Sequence, residues 1–400
     1  MFNHQKRFKP MKFVLFILLT SISTASIAQF QKGFDNEEVK ACIAICNSYT
    51  FQDLYESDHN ILPKDYHKIY TSEVVGLDNM FQVYKKDKVG VISFRGSTSK
   101  FASWVENMFS AMIPSQGTIN LDKVDSQYRF AKDTTAAVHS GYALAVVMLS
   151  PMLLEQIKNL NNSGVYHIII TGHSQGGALA NLSRAFLENL PKGEISKRNK
   201  FKTYAFANPM CGNEHFAKEY NDRYCGNNTS YSIINEADVV PKMPMHYDEE
   251  APVFNTEMLI NWIHGKEAID FRELGLNFVL RKSKPALSIY ITSSNRLIER
   301  LITKSFTSIK MPKYTKDINY FQTGTIHVLE SFPYPKTPLA SSEMNAFQRE
   351  KMRLGLDGDY YKKEPSFFQH KPYNYYVAIL KEYSSSDYNN LEMRYLPENL

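Results

Sequence analysis

Hydrophobic and polar positions follow two rhythms along the middle of this chain, one of period two and one of helical spacing. Residues 81–84 and 89–94 flank the polar turn Lys85-Lys86-Asp87-Lys88 and predict a β-hairpin. Phe101, Trp104, Val105, Met108, Phe109 and Met112 then recur at helical spacing and predict one amphipathic helix reaching Met112. Residues 142–160 predict a further helix, and Val165 to Thr171 a buried strand. Leu179, Leu182, Phe186 and Leu187 share one face of a predicted helix over 178–187. Strands are expected at Phe201 to Ala207 and Tyr231 to Ile234, with a short helix at about 213–222 between them. An opening helix over 36–55, renewed sheet signals from Tyr320 to Leu329 and a last helix at about 372–383 complete the pattern. Strands alternating with helices argue for an α/β architecture, a mostly parallel sheet covered by helices on both faces. Residues 255–312 break that rhythm and read as mainly helical. With no internal repeat and no low-complexity linker, the expectation is one domain over 29–400 carrying a helical insertion at about 255–312.

The first 28 residues stand apart. Lys6, Arg7, Lys9 and Lys12 precede the apolar run Phe13 to Ile22, and Ser26-Ile27-Ala28 supplies small residues for cleavage before Gln29. This predicts a cleavable signal peptide and a secreted or periplasmic protein, with a retained anchor as the competing reading. Those four cations are matched by no acidic residue, so losing them takes the formal charge from +5 to +1. A near-neutral mature chain gives no reason to expect a nucleic-acid partner. Four cysteines in an exported protein permit disulfides. Cys211 and Cys225 flank a short helical stretch and could close a small loop; Cys42 and Cys46 lie four apart on a helix, a poor geometry for a bond, and read equally well as small buried hydrophobes. No metal-ligand spacing is present, and neither a metal nor a cofactor is expected.

Candidate chemistry centres on Gly172-His173-Ser174-Gln175-Gly176-Gly177, which joins the strand ending at Thr171 to the helix over 178–187. Strand, G-x-S-x-G and helix form the setting of a nucleophile elbow, where a strained turn exposes a serine and the helix start faces the developing oxyanion. A serine nucleophile also needs a base and an orienting acid. Asp238 follows the strand 231–234 and so lies at the carboxyl edge of the sheet, although an Asp before Val239-Val240-Pro241 also suits an ordinary turn.

Several short motifs in one order give these residues a family. Val91-Ile92-Ser93-Phe94-Arg95-Gly96-Ser97, Trp104, Val138-His139-Ser140-Gly141-Tyr142, the serine hexapeptide, Asn208-Pro209-Met210-Cys211-Gly212-Asn213 and Asn235 to Pro244 together resemble the class 3 lipases. The resemblance implies an α/β-hydrolase fold that cleaves carboxylic esters of lipids, with Ser174 as nucleophile and Asp238 orienting the histidine. It further implies that Ser97 and the backbone N–H of Gln175 form the oxyanion hole. Cys211 departs from the aliphatic residue usual in the family. The histidine must follow Asp238, which leaves His246, His264, His327 and His370. His370 is favoured because it stands in a loop just before Pro372 and a helix, and because His370, Tyr375 and Leu380 resemble the family's terminal segment; His327, inside a strand pattern, is second. His139 and His173 read as structural, with His173 facing away from the serine. The stripe from Phe101 to Met112 is either a core-facing helix or a lid over the acyl site. The expected partner is a lipid or other ester substrate, with a lipid–water interface as a candidate place of encounter; an esterase or phospholipase, or an inactive lipid-binding protein, are the competing functions.

Overall fold

A computed structural model describes Phe30, residues 32–49, 61–244, 308–331, 333–335 and 367–396, with short stretches at 338–339, 352–354 and 360–362 and Glu364. The expected leader and nearly all of the expected insertion lie outside these residues. Only 308–312 of the latter are described, and there Ile309 and Lys310 form a strand against Asn120 and Leu121 where helix was expected.

A seven-stranded sheet organises the rest, its strands lying side by side in chain order. They are β1 (His67–Thr71), β2 (Phe81–Lys86), β3 (Val89–Phe94), β4 (His167–His173), β5 (Lys200–Phe206), β6 (Ser230–Asn235) and β7 (Thr325–Leu329). The first three run antiparallel as a meander, and β3 to β7 are parallel. Parallel neighbours need crossovers, which is why the central part of the chain alternates strand and helix. Around the sheet lie α1 (Asn36–Tyr49), α2 (Phe101–Met108), α3 (Ser140–Asn162), α4 (Gln175–Glu188), α5 (Glu214–Tyr220) and α6 (Pro372–Tyr383).

The period-two alternation of the strands divides the core in two. Ile92, Phe94, Ile168 and Ile170 pack on one face beneath α3 and α4. Val89, Val91, Ile169, Tyr204 and Ile233 pack on the other beneath α1 and α6. Asp35 starts α1 by accepting the Glu38 N–H at 2.9 Å, satisfying one of the free donors of a first turn. Burying both faces of β3, β4 and β5 leaves their carboxyl ends as the place where polar chemistry meets the surface.

Two expectations need correction, and one element was unforeseen. The stripe from Phe101 does not stay helical to Met112: α2 ends at Met108, and Met112 to Pro114 form a strand against Ala137 to His139. Apolar spacing is equally satisfied by the buried strand that follows, and pairing with His139 decides the matter. A polar hairpin, Gln116–Leu121 with Val124–Arg129, was not foreseen. Finally, all four cysteines are thiols, so Cys211 and Cys225 do not close a loop; Cys211 instead donates to the Ala178 and Pro209 carbonyls.

Candidate active site

The turn between β4 and α4 places Ser174 at φ 59°, ψ −129°. A serine at positive φ is strained by about 1–3 kcal/mol and persists only where its surroundings dictate it. The surroundings here are backbone. The Ser174 N–H donates to the Phe206 carbonyl at 2.9 Å, while its own carbonyl accepts from Gly177 at 2.9 Å. A Cβ on Gly172 would lie 2.1 Å from the Gly176 oxygen, and one on Gly176 would lie 2.3 Å from the Phe94 oxygen. The two outer glycines of G-x-S-x-G are therefore required by the crossing of β3, β4 and α4, and Ser174 is held above the carboxyl edge.

Two distant segments meet it there. Ser174 Oγ lies 2.9 Å from His370 Nε2, and His370 Nδ1 lies 2.7 Å from Asp238 Oδ2. An ionised carboxylate only accepts, so the Nδ1 proton points at Asp238 and the Nε2 lone pair is left to accept from the serine hydroxyl. All three side chains are buried. Asp238 is fixed by two further donors: the Val240 N–H to Oδ1 at 2.9 Å and the Tyr375 hydroxyl to Oδ2 at 2.8 Å. The Tyr375 oxygen in turn accepts from the Asn235 N–H at 2.9 Å. Burial first, and the neighbouring Asp238 second, push the Tyr375 hydroxyl far above its usual range, so it stays a donor. His370 ends a turn closed by its N–H to the Phe367 carbonyl at 3.1 Å, and Asn235 Nδ2 donates to Gln369 Oε1 at 3.1 Å, tying that turn to the end of β6.

The opposite side of Ser174 is built around Gln175, the first residue of α4, whose backbone N–H has no intrahelical acceptor. Its side-chain oxygen accepts from Ser97 Oγ at 2.9 Å and Ser103 Oγ at 3.1 Å. Its side-chain nitrogen donates to Glu106 Oε1 at 2.6 Å. Asn79 donates to the other Glu106 oxygen, and Asn107 Nδ2 donates to Ser97 Oγ at 2.8 Å. Burial pushes the Glu106 carboxyl up to about 8, against the opposing pull of its two amide donors. The 95–98 loop is anchored separately: Asp78 pairs with Arg95 at 3.1 Å and Lys100 at 2.8 Å, and accepts from the Thr98 hydroxyl at 2.5 Å. Ser103, Glu106 and Asn107 all lie on α2, so this helix is fastened to the elbow and to Ser97 and serves as scaffold in this state rather than as a free cover.

The remaining histidines separate cleanly. His173 does not face away from the site: its ring lies 4.8 Å from that of His370 and edge-on to Tyr375. Burial and the adjacent His370 hold it well below the usual imidazole range, so it adds no competing positive charge. His139 precedes α3, accepts the Tyr142 N–H at 3.3 Å and stacks on the Tyr142 ring; burial lowers its pKa to about 3. His327 lies on β7, paired with Ile233 and stacked on Phe34, apart from Ser174. His246 and His264 lie outside the described residues. Among the described residues, no group of three or more His, Cys, Asp or Glu side chains is placed to hold a metal ion. Sequence reasoning named Ser174, Asp238, His370, Ser97 and Gln175, all of which meet here. It assigned no part to Glu106, Asn79, Ser103 or Asn107, whose partners lie across folds of the chain.

A serine, a histidine and an aspartate in hydrogen-bonded series, on an elbow at the carboxyl edge of a mostly parallel sheet, define the α/β-hydrolase class. Residues 91–247 match the lipase (class 3) family. The secreted mono- and diacylglycerol lipase 1 of Fusarium solani is 23% identical over 180 residues, 42% of this chain and 50% of that protein. The chain thus spans about half the length of that curated relative. Among solved structures, a fungal lipase in an inhibitor complex is 23% identical, covers 52% of this chain and 74% of its own, and has a TM-score of 0.40. A Rhizomucor miehei lipase in complex with its propeptide is 22% identical, covers 54% and 65%, and has a TM-score of 0.38.

Proposed function

We propose that this chain is a serine hydrolase that cleaves carboxylic ester bonds of lipids through an acyl-enzyme. The observation that carries the reading is the continuous series Ser174 Oγ, His370 Nε2, His370 Nδ1 and Asp238 Oδ2, with links of 2.9 and 2.7 Å. In this mechanism Ser174 attacks the ester carbonyl as His370 Nε2 takes its proton. Asp238 stabilises the resulting imidazolium and keeps its Nδ1 proton in place. The N–H groups at Gln175 and Ser97 receive the oxyanion, at the start of a helix whose dipole favours negative charge there. His370 then protonates the departing alcohol, and water, activated by the same imidazole, releases the fatty acid. The lipid substrate class rests on the family match over residues 91–247, and a water-insoluble ester would be met at a lipid–water interface. Export through the leader at 1–28 accords with the word secreted in the name of the Fusarium relative.

Replacing the nucleophile tests the reading. Ser174→Ala should lower turnover of short glycerides and nitrophenyl esters by about four orders of magnitude or more. It should also abolish covalent labelling by a fluorophosphonate. Undiminished turnover in this variant would overturn the mechanism.

A further inference from the structure

We infer that Glu106 is a positioning residue for the oxyanion hole: by gripping the side-chain amide of Gln175, it holds both donor-bearing segments in register. The inference rests on the proposed hydrolase reading and adds a residue to it.

Gln175 carries an oxyanion donor on its backbone and, on its side chain, a bridge to the second donor segment. Its Oε1 accepts the hydroxyls of Ser97 and Ser103, and its Nε2 reaches Glu106 at 2.6 Å and Asn79 Oδ1 at 3.4 Å. An amide can sit in either of two orientations. Only one presents an oxygen to the Ser97 hydroxyl, whose own oxygen is occupied by the Asn107 donor. Glu106 selects that orientation, because a carboxyl oxygen at 2.6 Å demands an N–H from Gln175. The grip is firm at both ends. Gln175 and Glu106 are 2% and 1% exposed. The Glu106 backbone is pressed against the start of α3, where a Cβ on Gly141 would fall 2.3 Å from the Glu106 carbonyl oxygen. A displacement of α2 would therefore be transmitted to Gln175 instead of being absorbed.

A buried carboxyl is a demanding choice where packing is the only need. Its titratable neighbours are Asp78, which is paired with Arg95 and Lys100, and Tyr142 on α3. None of them supplies Glu106 with a cationic partner of its own. Both protonation states serve the proposed role: the carboxylate accepts from Gln175 and Asn79, and the neutral acid still accepts from Gln175 through its carbonyl oxygen. Glutamine at 106 reproduces the neutral acid, whereas alanine and leucine remove the acceptor.

The test is a double-mutant cycle on a soluble nitrophenyl ester. Glu106→Ala should lower kcat by about 10- to 100-fold with KM within about twofold, and weaken a boronic-acid transition-state mimic in parallel. Glu106→Gln should restore most of that loss. In a Gln175→Ala background, Glu106→Ala should add less than about twofold, because the lever it acts through is gone. Glu106→Leu, which refills the space, replaces Glu106→Ala if the latter does not fold. The proposal is overturned if kcat and boronate affinity survive loss of the acceptor and only thermal stability falls. It is equally overturned if the losses at 106 and 175 multiply independently. Absence of fluorophosphonate labelling at Ser174 in the unmodified protein would instead sink the hydrolase reading itself.

Discussion

The two sides of Ser174 are built on opposite plans. On the base side, three residues separated by up to 196 positions touch in series, with links of 2.9 and 2.7 Å. On the oxyanion side, residues from 79 to 107 and Gln175 form a mesh in which most polar atoms are bound from more than one direction. In the proposed mechanism a proton passes from Ser174 to His370 on the first side, so alternative partners at Nε2 would divert it. Nothing has to travel along the second, which serves best when two backbone N–H groups cannot shift as charge develops. Mobility of a proton and immobility of a dipole are thus provided by separate parts of one small site.

Removing the base breaks the first half alone. His370→Ala should reduce kcat by about three to four orders of magnitude, with KM for a soluble ester changed far less. His327→Ala, made in parallel, should stay within about threefold of the unmodified protein, since its ring, on β7 and apart from Ser174, stacks on Phe34 and reaches the Tyr383 hydroxyl. A dead His327 variant with an active His370 variant would reverse the assignment.

Acidity probes the oxyanion side by stability. Glu106 has a folded pKa raised from 4.5 to about 8, so its contribution is complete below 4.5 and is lost as pH rises through 8. His139, beside Asn107, is lowered from 6.5 to about 3, so its contribution is complete above 6.5 and is lost as pH falls toward 3. Both are fully buried, and each change amounts to a few kcal/mol, on the order of the pKa displacement itself. Urea unfolding from pH 4 to 9 should show Glu106→Gln flattening the decline between pH 4.5 and 8. An unchanged slope would mean that Glu106 ionises without penalty.

Tyr375→Phe sharpens the comparison with the smallest change. It leaves Asp238 with two donors in place of three and the buried Asn235 N–H without its acceptor. The expected cost is about 1–3 kcal/mol in stability and about tenfold in kcat. A kcat equal to that of the unmodified protein would show that His370 and Val240 orient the carboxylate unaided.

Much of this arrangement is legible along the chain, for reasons that differ by element. β3, β4, α4 and α6 declare themselves through unbroken apolar runs or a one-sided helical stripe, because each is buried along most of its length. β1 is invisible by the same logic, since most of its residues face solvent and show no pattern. The polar hairpin at 116–129 escapes likewise, and the extension of α2 to Met112 misled because strand pairing was the competing force. Ser174 was readable because G-x-S-x-G is a backbone necessity of one sharp turn. His370 was readable from Pro372 and its place before the last helix. Glu106, Asn79 and Asn107 were not, because a partner fixed by tertiary folding leaves no interval to count.

The four separate thiols carry a consequence for how this protein can be made. Cys42, Cys46 and Cys211 are buried, and burial lifts the Cys46 and Cys211 thiols to about 12, keeping them protonated and unreactive. Only Cys225 is partly accessible. With no disulfide among the described residues, burial of the two apolar layers is what holds the described core, and a reducing medium should not prevent its folding.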